Sequence, residues 1–176
     1  MNPEPSGFLI PDPLSPIPIH NLLMSFDDIT VREAREKQAE GYTYVDVRSV
    51  PEFEEGHPPE AVNVPLFHRD AQSGQMMANR EFLDVMRANF ASDAKLLIGC
   101  RAGARSAQAA EMLVLAGFND VLNVTGGFGG ARDPMTGAVR AEGWTQAALP
   151  VETATLEGHS YEDLHATLAA RGPVAE

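Results

Sequence analysis

Only one cysteine and two lysines, Lys37 and Lys95, occur in the 176 residues, and each scarcity excludes a class of function. A single thiol cannot close an intrachain disulfide, so nothing here calls for an oxidising compartment, and the cytoplasm is the expected location. The shortage of lysine goes with a net charge of −12 and a pI near 4.7. Phosphate backbones and anionic membrane surfaces need clustered basic side chains, so neither nucleic acid nor a membrane is expected as the main partner. No Lys or Arg precedes Arg32. Neither the basic region of a secretory leader nor the Arg-rich face of a transit peptide is therefore expected. No apolar run is long enough to span a bilayer. The five histidines are scattered, and only His159 and His165 stand close together, without the Cys, Asp or Glu company of a metal centre. No metal and no cofactor is expected.

What is present suits one buried core. At 44% hydrophobic residues the chain can form one domain over 26–151, flanked by an N-terminal arm (1–25) and a C-terminal tail with a short helix (152–176). The arm carries six of the 13 prolines, too closely spaced for a helix or a sheet ladder. It reads either as a strap for its own domain or a neighbour, or as a loose leader. From Phe26 onward β-like and helical runs alternate, the pattern of an α/β domain with a mainly parallel sheet. "VREAREKQAEG" predicts a surface helix closed by Gly41, "YTYVDV" a strand, and "SVPEFEEG" a short helix opened by Ser49. "AVNVP" predicts another strand, and residues 79–90 place Phe82, Val85, Met86 and Phe90 on one helical stripe. "KLLIG" reads as a central parallel strand, residues 103–117 as an Ala-rich helix and "DVLNV" as a further strand. "TGGFGGARDPMTGA" reads as a glycine-rich loop, "GWTQAALPV" as a short closing helix, and "SYEDLHATLAARGP" as a peripheral helix opened by a capping box.

The single cysteine, Cys100, falls where the strand "KLLIG" gives way to the Ala-rich helix. In an open α/β sheet this carboxyl edge is where ligands bind. Successive N–H groups curling into a helix N-terminus favour anions and stabilise a thiolate against its thiol. A free cysteine ionises at roughly pH 8.5, and such surroundings lower that by one to several units. Gly103 permits the curl. Between Ala94 and Ala110 stand Lys95, Arg101 and Arg105 with no acidic residue, a local +3 within a chain of −12. Forked guanidinium donors match a tetrahedral oxyanion. A buried, inert thiol is the blander reading, and the two arginines and the glycine argue against it.

Here the chain resembles the rhodanese-like sulfurtransferases, from about Asp28 to Val151. "YVDVRSVPEFEEGHPPEAVNVP" is similar to the family's first signature, with Pro59 standing where glycine is usual. "CRAGARS" resembles the active loop that begins at the catalytic cysteine. "NVTGGFGGA" resembles the second signature, although the usual nearby tryptophan is absent and Trp144 comes only after an insertion, 131–143, which bears on the outer rim of the site. The resemblance implies a three-layer α/β fold, a mainly parallel central sheet with helices on both faces. It also implies a sulfurtransferase. Cys100 would take a sulfane sulfur from a small anionic donor, hold it as a persulfide, and pass it to a thiophilic acceptor such as cyanide, glutathione or a thioredoxin-like protein. The loop residues Arg101, Ala102, Gly103, Ala104, Arg105 and Ser106 would cradle the sulfur and the anion. Relatives that use mercaptopyruvate carry small polar loops, so two arginines favour thiosulfate, with a persulfide donor also open.

Two other readings remain. Cysteine-dependent phosphatases and arsenate reductases cradle a thiolate in the same way, but their loop spaces cysteine and arginine as C-x5-R, whereas Cys100 to Arg105 is C-x4-R, a narrower cradle. A noncatalytic rhodanese module commonly lacks the cysteine. Asp46, Arg48 and His57 lie near the same sheet edge and read mainly as loop braces behind the site. "GGFGG" reads as a turn cluster, because no lysine follows it as a phosphate loop needs. Phe128 and Trp144 are candidates for the mouth of the site, with core packing favoured for Trp144.

Overall fold

Parallel strands need crossovers that lie on the faces of their sheet, and the alternation in this chain supplies them. The computed structural model describes residues 25–171; the expectations for the proline-rich arm fall outside this range, apart from Ser25. Strand β1 (Asp27–Ile29) leads into α1 (Val31–Ala39), opened by a reciprocal capping box between Thr30 and Glu33. Strand β2 (Thr43–Asp46) follows, then α2 (Val50–Glu54), where Ser49 and Glu52 form a second capping box. After β3 (Val62–Asn63) comes an antiparallel hairpin of β4 (Phe67–Arg69) and β5 (Met76–Ala78), then α3 (Phe82–Asn89). Strand β6 (Lys95–Gly99), α4 (Ala104–Leu115) and β7 (Asp120–Val124) complete the sheet. Beyond it are the hairpin β8 (Ala131–Arg132) and β9 (Val139–Ala141), and α5 (Tyr161–Arg171).

The five-stranded sheet runs β1-β7-β6-β2-β3 with every pairing parallel. Side chains alternate across β6. Leu96 and Ile98 join Phe82, Val85, Met86, Ala109 and Leu113 on the face covered by α3 and α4. Leu97 joins Val31, Ala34, Tyr44, Phe53 and Trp144 on the other. Helices therefore cover both faces, and β6 is apolar throughout after Lys95 because both of its faces are buried. The small side chains Ser106, Ala109 and Ala110 on α4 let that helix sit close to the sheet. Gly99 has a matching reason: a Cβ there would come within 1.9 Å of the Tyr44 hydroxyl oxygen.

Four segments differ from the sequence expectation. Residues 144–148 form successive turns rather than a helix: Ala148 takes a φ of 54°, and the Trp144 indole N–H donates to the Pro150 carbonyl at 2.7 Å. The helix after Ser160 is docked rather than peripheral. Leu164 is buried in the main core, Asn89 donates to its carbonyl at 2.9 Å, and the His159 carbonyl accepts from the Asn63 N–H. The insertion 131–143 is a hairpin that projects and returns, so Trp144 still packs edge-on against Tyr44. The hairpin β4–β5 was not expected, because its strands are too short for a period-two pattern to register.

Candidate active site

Consecutive crossovers run outward from the middle of the sheet, β2 to β3 on one side and β6 to β7 on the other. The point where the direction reverses lies between the carboxyl ends of β2 and β6, where Asp46 pairs with Gly99. Cys100 is the next residue. Gly103 takes a φ of 97° and opens α4, so the chain turns back on itself within three residues. The Gly103 N–H consequently donates to Cys100 Sγ at 3.1 Å. Ser106 is fully buried and donates its hydroxyl to the Gly103 carbonyl at 3.0 Å, which locks the turn rather than reaching outward. Ala102 and Ala104 are exposed along the loop. The first-turn N–H groups of α4 have no intrahelical acceptor and point their partial positive charge toward this loop. The sequence reading puts all the loop amides on the sulfur; the structure brings one of them to it.

A second loop supports the first from behind. The Phe128 N–H donates to the Cys100 carbonyl at 2.7 Å and the Gly129 N–H to the Arg101 carbonyl at 2.8 Å. The turn cluster "GGFGG" is thus the seat of the cysteine loop. Phe128 does not line the mouth; its ring lies under the Arg48 guanidinium at 4.2 Å. Trp144 is in the core.

Arg48 and Asp46 form a buried pair at 2.7 Å, with Arg48 also donating to the Gly56 carbonyl and Asn63 to the carbonyls of both Asp46 and Arg48. Burial opposes the charge on Arg48, yet the Asp46 carboxylate holds its pKa above the ordinary value. His57 is stacked on Phe53 at 3.9 Å, its Nδ1 meets the Phe53 carbonyl at 2.9 Å, and its backbone bridges to Glu152. All three residues tie the loop after β2 to its neighbours, and none lines the cavity at the cysteine loop.

That cavity, about 670 Å³, is lined by Glu52, Glu55, Phe67, Arg69, Gly74, Met76, Arg101 and Arg105. Two arginines of the cysteine loop therefore share one opening, but in different states. Arg105 is clamped by Glu52 through two bonds of 2.8 and 2.9 Å. Among the described residues Arg101 has no such partner. Glu52 is already fixed by the Ser49 hydroxyl and N–H, so it meets Arg105 in a set position. Sequence reading missed Glu52 as part of the site, although its place in the capping box was visible, and missed Arg69 and Met76 because it missed their hairpin. The outer rim comes from β4–β5, not from the 131–143 insertion.

The clamp has a pH signature. The Arg105 hydrogen bonds lower Glu52 from 4.5 to about 2, against its partial burial and with help from Ser49. A depressed carboxylate contributes stability above its unfolded pKa and loses it as pH falls through the folded one. The pair should thus stabilise the fold above about pH 4.5 and fade toward about pH 2. Allowing for solvent screening, Glu52→Gln should cost on the order of 1 to 2 kcal/mol at neutral pH and almost nothing at the acid end. Urea unfolding across the acid range checks this; an equal loss at every pH would show the clamp to be irrelevant.

A parallel α/β sheet with a cysteine at its reversal point, its loop seated on a glycine-rich turn and carrying two arginines, is the arrangement of a recognisable class of domain. The rhodanese-like domain model matches residues 30–132, and the chain belongs to that family. It is 38% identical over 124 residues to the senescence-associated protein DIN1 of Raphanus sativus, covering 70% of this chain and 60% of that one. Against thiosulfate sulfurtransferase GlpE of Haemophilus influenzae identity is 31% over 132 residues, covering 74% of this chain and 99% of that protein. The crystal structure of Rv0390 from M. tuberculosis superposes with a TM-score of 0.59 at 29% identity, covering 74% of this chain and all of that one.

Proposed function

We propose that this domain is a thiosulfate sulfurtransferase working through a persulfide on Cys100. The observation that carries the reading is the Gly103 N–H held 3.1 Å from Cys100 Sγ in a loop that opens on a cavity shared by Arg101 and Arg105. A noncatalytic module needs neither the sulfur nor the uncompensated Arg101. The C-x4-R spacing leaves less room than the C-x5-R phosphatase loop for a phosphoryl group. The likeness to proteins named thiosulfate sulfurtransferase points the same way.

In the first step the Cys100 thiolate attacks the outer sulfur of thiosulfate. A new S–S bond forms, the sulfur–sulfur bond of the donor breaks, and sulfite leaves with the electron pair. Arg101 neutralises the sulfonate end, while Arg105, held by Glu52, fixes the far side of the loop. The N–H groups of the first turn of α4 receive the outer sulfur of the persulfide, whose negative charge suits a helix N-terminus. In the second step an acceptor removes that sulfur and restores the thiolate, giving ping-pong kinetics. The chain has no second cysteine, so the acceptor comes from outside.

The test is intact-protein mass spectrometry after thiosulfate treatment. A mass gain of one sulfur atom, removed by cyanide, is expected. No adduct with thiosulfate or any other sulfane donor would reject catalysis.

A further inference from the structure

The cavity is larger than thiosulfate or cyanide requires. At about 670 Å³ it lies within the roughly 300 to 1,000 Å³ typical of sites for organic ligands. Its far wall is the β4–β5 hairpin, which is a built element. Asp70 Oδ1 accepts from the N–H groups of Gln72 and Ser73 and from the Ser73 hydroxyl, and the Asp70 N–H donates to the Gln75 carbonyl. The base is tied down by the Leu66 N–H on the Val47 carbonyl and by the Asn79 side chain on the Pro65 carbonyl. This wall presents Phe67, Arg69 and Met76 to the cavity, with Met76 46% exposed. Among the described residues the Arg69 guanidinium has no carboxylate partner. Exposed Glu55 stands in the same cavity. The opening thus offers a cation, an anion and apolar side chains beyond the two arginines of the cysteine loop.

We propose that Arg69 is a specificity-determining residue that binds the carboxylate of an organic thiol acceptor, a small zwitterionic peptide thiol, over Phe67 and Met76. The inference rests on the sulfurtransferase reading and names the acceptor class for the same site. Glu55 receives the ammonium group of that acceptor. In the transfer, the acceptor thiolate bonds to the outer sulfur of the Cys100 persulfide. The persulfide S–S bond breaks, its electron pair returns to Cys100 Sγ, and the product leaves as an organic persulfide, with no oxidant or reductant consumed. Thiosulfate loads the sulfur through Arg101, and Arg69 then aligns the larger molecule that unloads it.

The experiment compares glutathione with cyanide as acceptors for the thiosulfate-loaded full chain. In Arg69→Ala the ratio of kcat/KM for glutathione to that for cyanide should fall about tenfold, the loss of one charge-assisted contact. Most of the change should lie in the glutathione KM. Arg69→Lys should recover part of the ratio, and Glu55→Gln should lower it by less. An equal loss with both acceptors in Arg69→Ala, or no loss with either, would overturn the inference while leaving the sulfurtransferase reading intact. A wild-type chain that transfers sulfur to neither acceptor would remove both.

Discussion

Replacement of Cys100 by serine is expected to lower sulfur transfer to cyanide by at least about a thousandfold, as loss of an attacking nucleophile does elsewhere. The residue is 2% exposed and belongs to the main hydrophobic cluster. Serine is nearly the same size, so the fold should survive. The serine hydroxyl keeps its proton at neutral pH, however, and its oxygen cannot carry a persulfide. The expected signature is thus a chain with near-normal urea unfolding, no sulfur adduct and background turnover. Steady-state thiocyanate formation by wild type and variant measures it. Comparable rates in the two proteins would mean that the cysteine has no part in transfer. Partial loss accompanied by collapse of the fold would mean that the thiol serves mainly as a core residue.

Much of this arrangement was legible in the chain, because buried strands and helix starts write strong local patterns. "KLLIG" is apolar at every position that the two helix layers cover, and it coincides with β6. The Ala-rich run gives α4, and the Ser49 and Ser160 capping signals give the starts of α2 and α5. Local patterns place Cys100 between β6 and α4 for the same reason. The contacts that cross the chain were not legible. Glu52 and Arg105 are separated by 53 positions, and nothing near either residue announces the other. Arg69 sits in a strand of three residues, below the length at which alternation can be read. The turns at 144–148 replaced an expected helix because Trp144 is drawn into the Tyr44 layer and tethered to Pro150, a tertiary demand that outweighs the propensity of "TQAAL". The docking of α5 on α3 was likewise set by packing around Leu164, not by the weakly amphipathic pattern of the helix itself.

The same distinction governs Gly127, whose importance no local rule reveals. Its φ is 56°, and a Cβ there would come 2.3 Å from the Cys100 carbonyl oxygen and 2.9 Å from the Arg101 carbonyl carbon. Both are backbone atoms of the cysteine loop, held by the Phe128 and Gly129 N–H groups, so neither can swing aside as a side-chain tip can. Gly127→Ala therefore combines left-handed backbone strain with an overlap that must push the two loops apart. The expected stability loss is about 2 to 4 kcal/mol, with kcat/KM for sulfur transfer falling roughly a hundredfold as the loop is displaced. Gly137 provides the control. Its φ is 71°, in the same region, but a Cβ there meets nothing within 4 Å. Gly137→Ala should cost only about 1 kcal/mol of backbone strain and leave turnover unchanged. Urea midpoints and thiocyanate kinetics on the two variants separate strain from displacement. If Gly127→Ala proves no worse than Gly137→Ala on either measure, the glycine loop is not the seat that holds Cys100 in place.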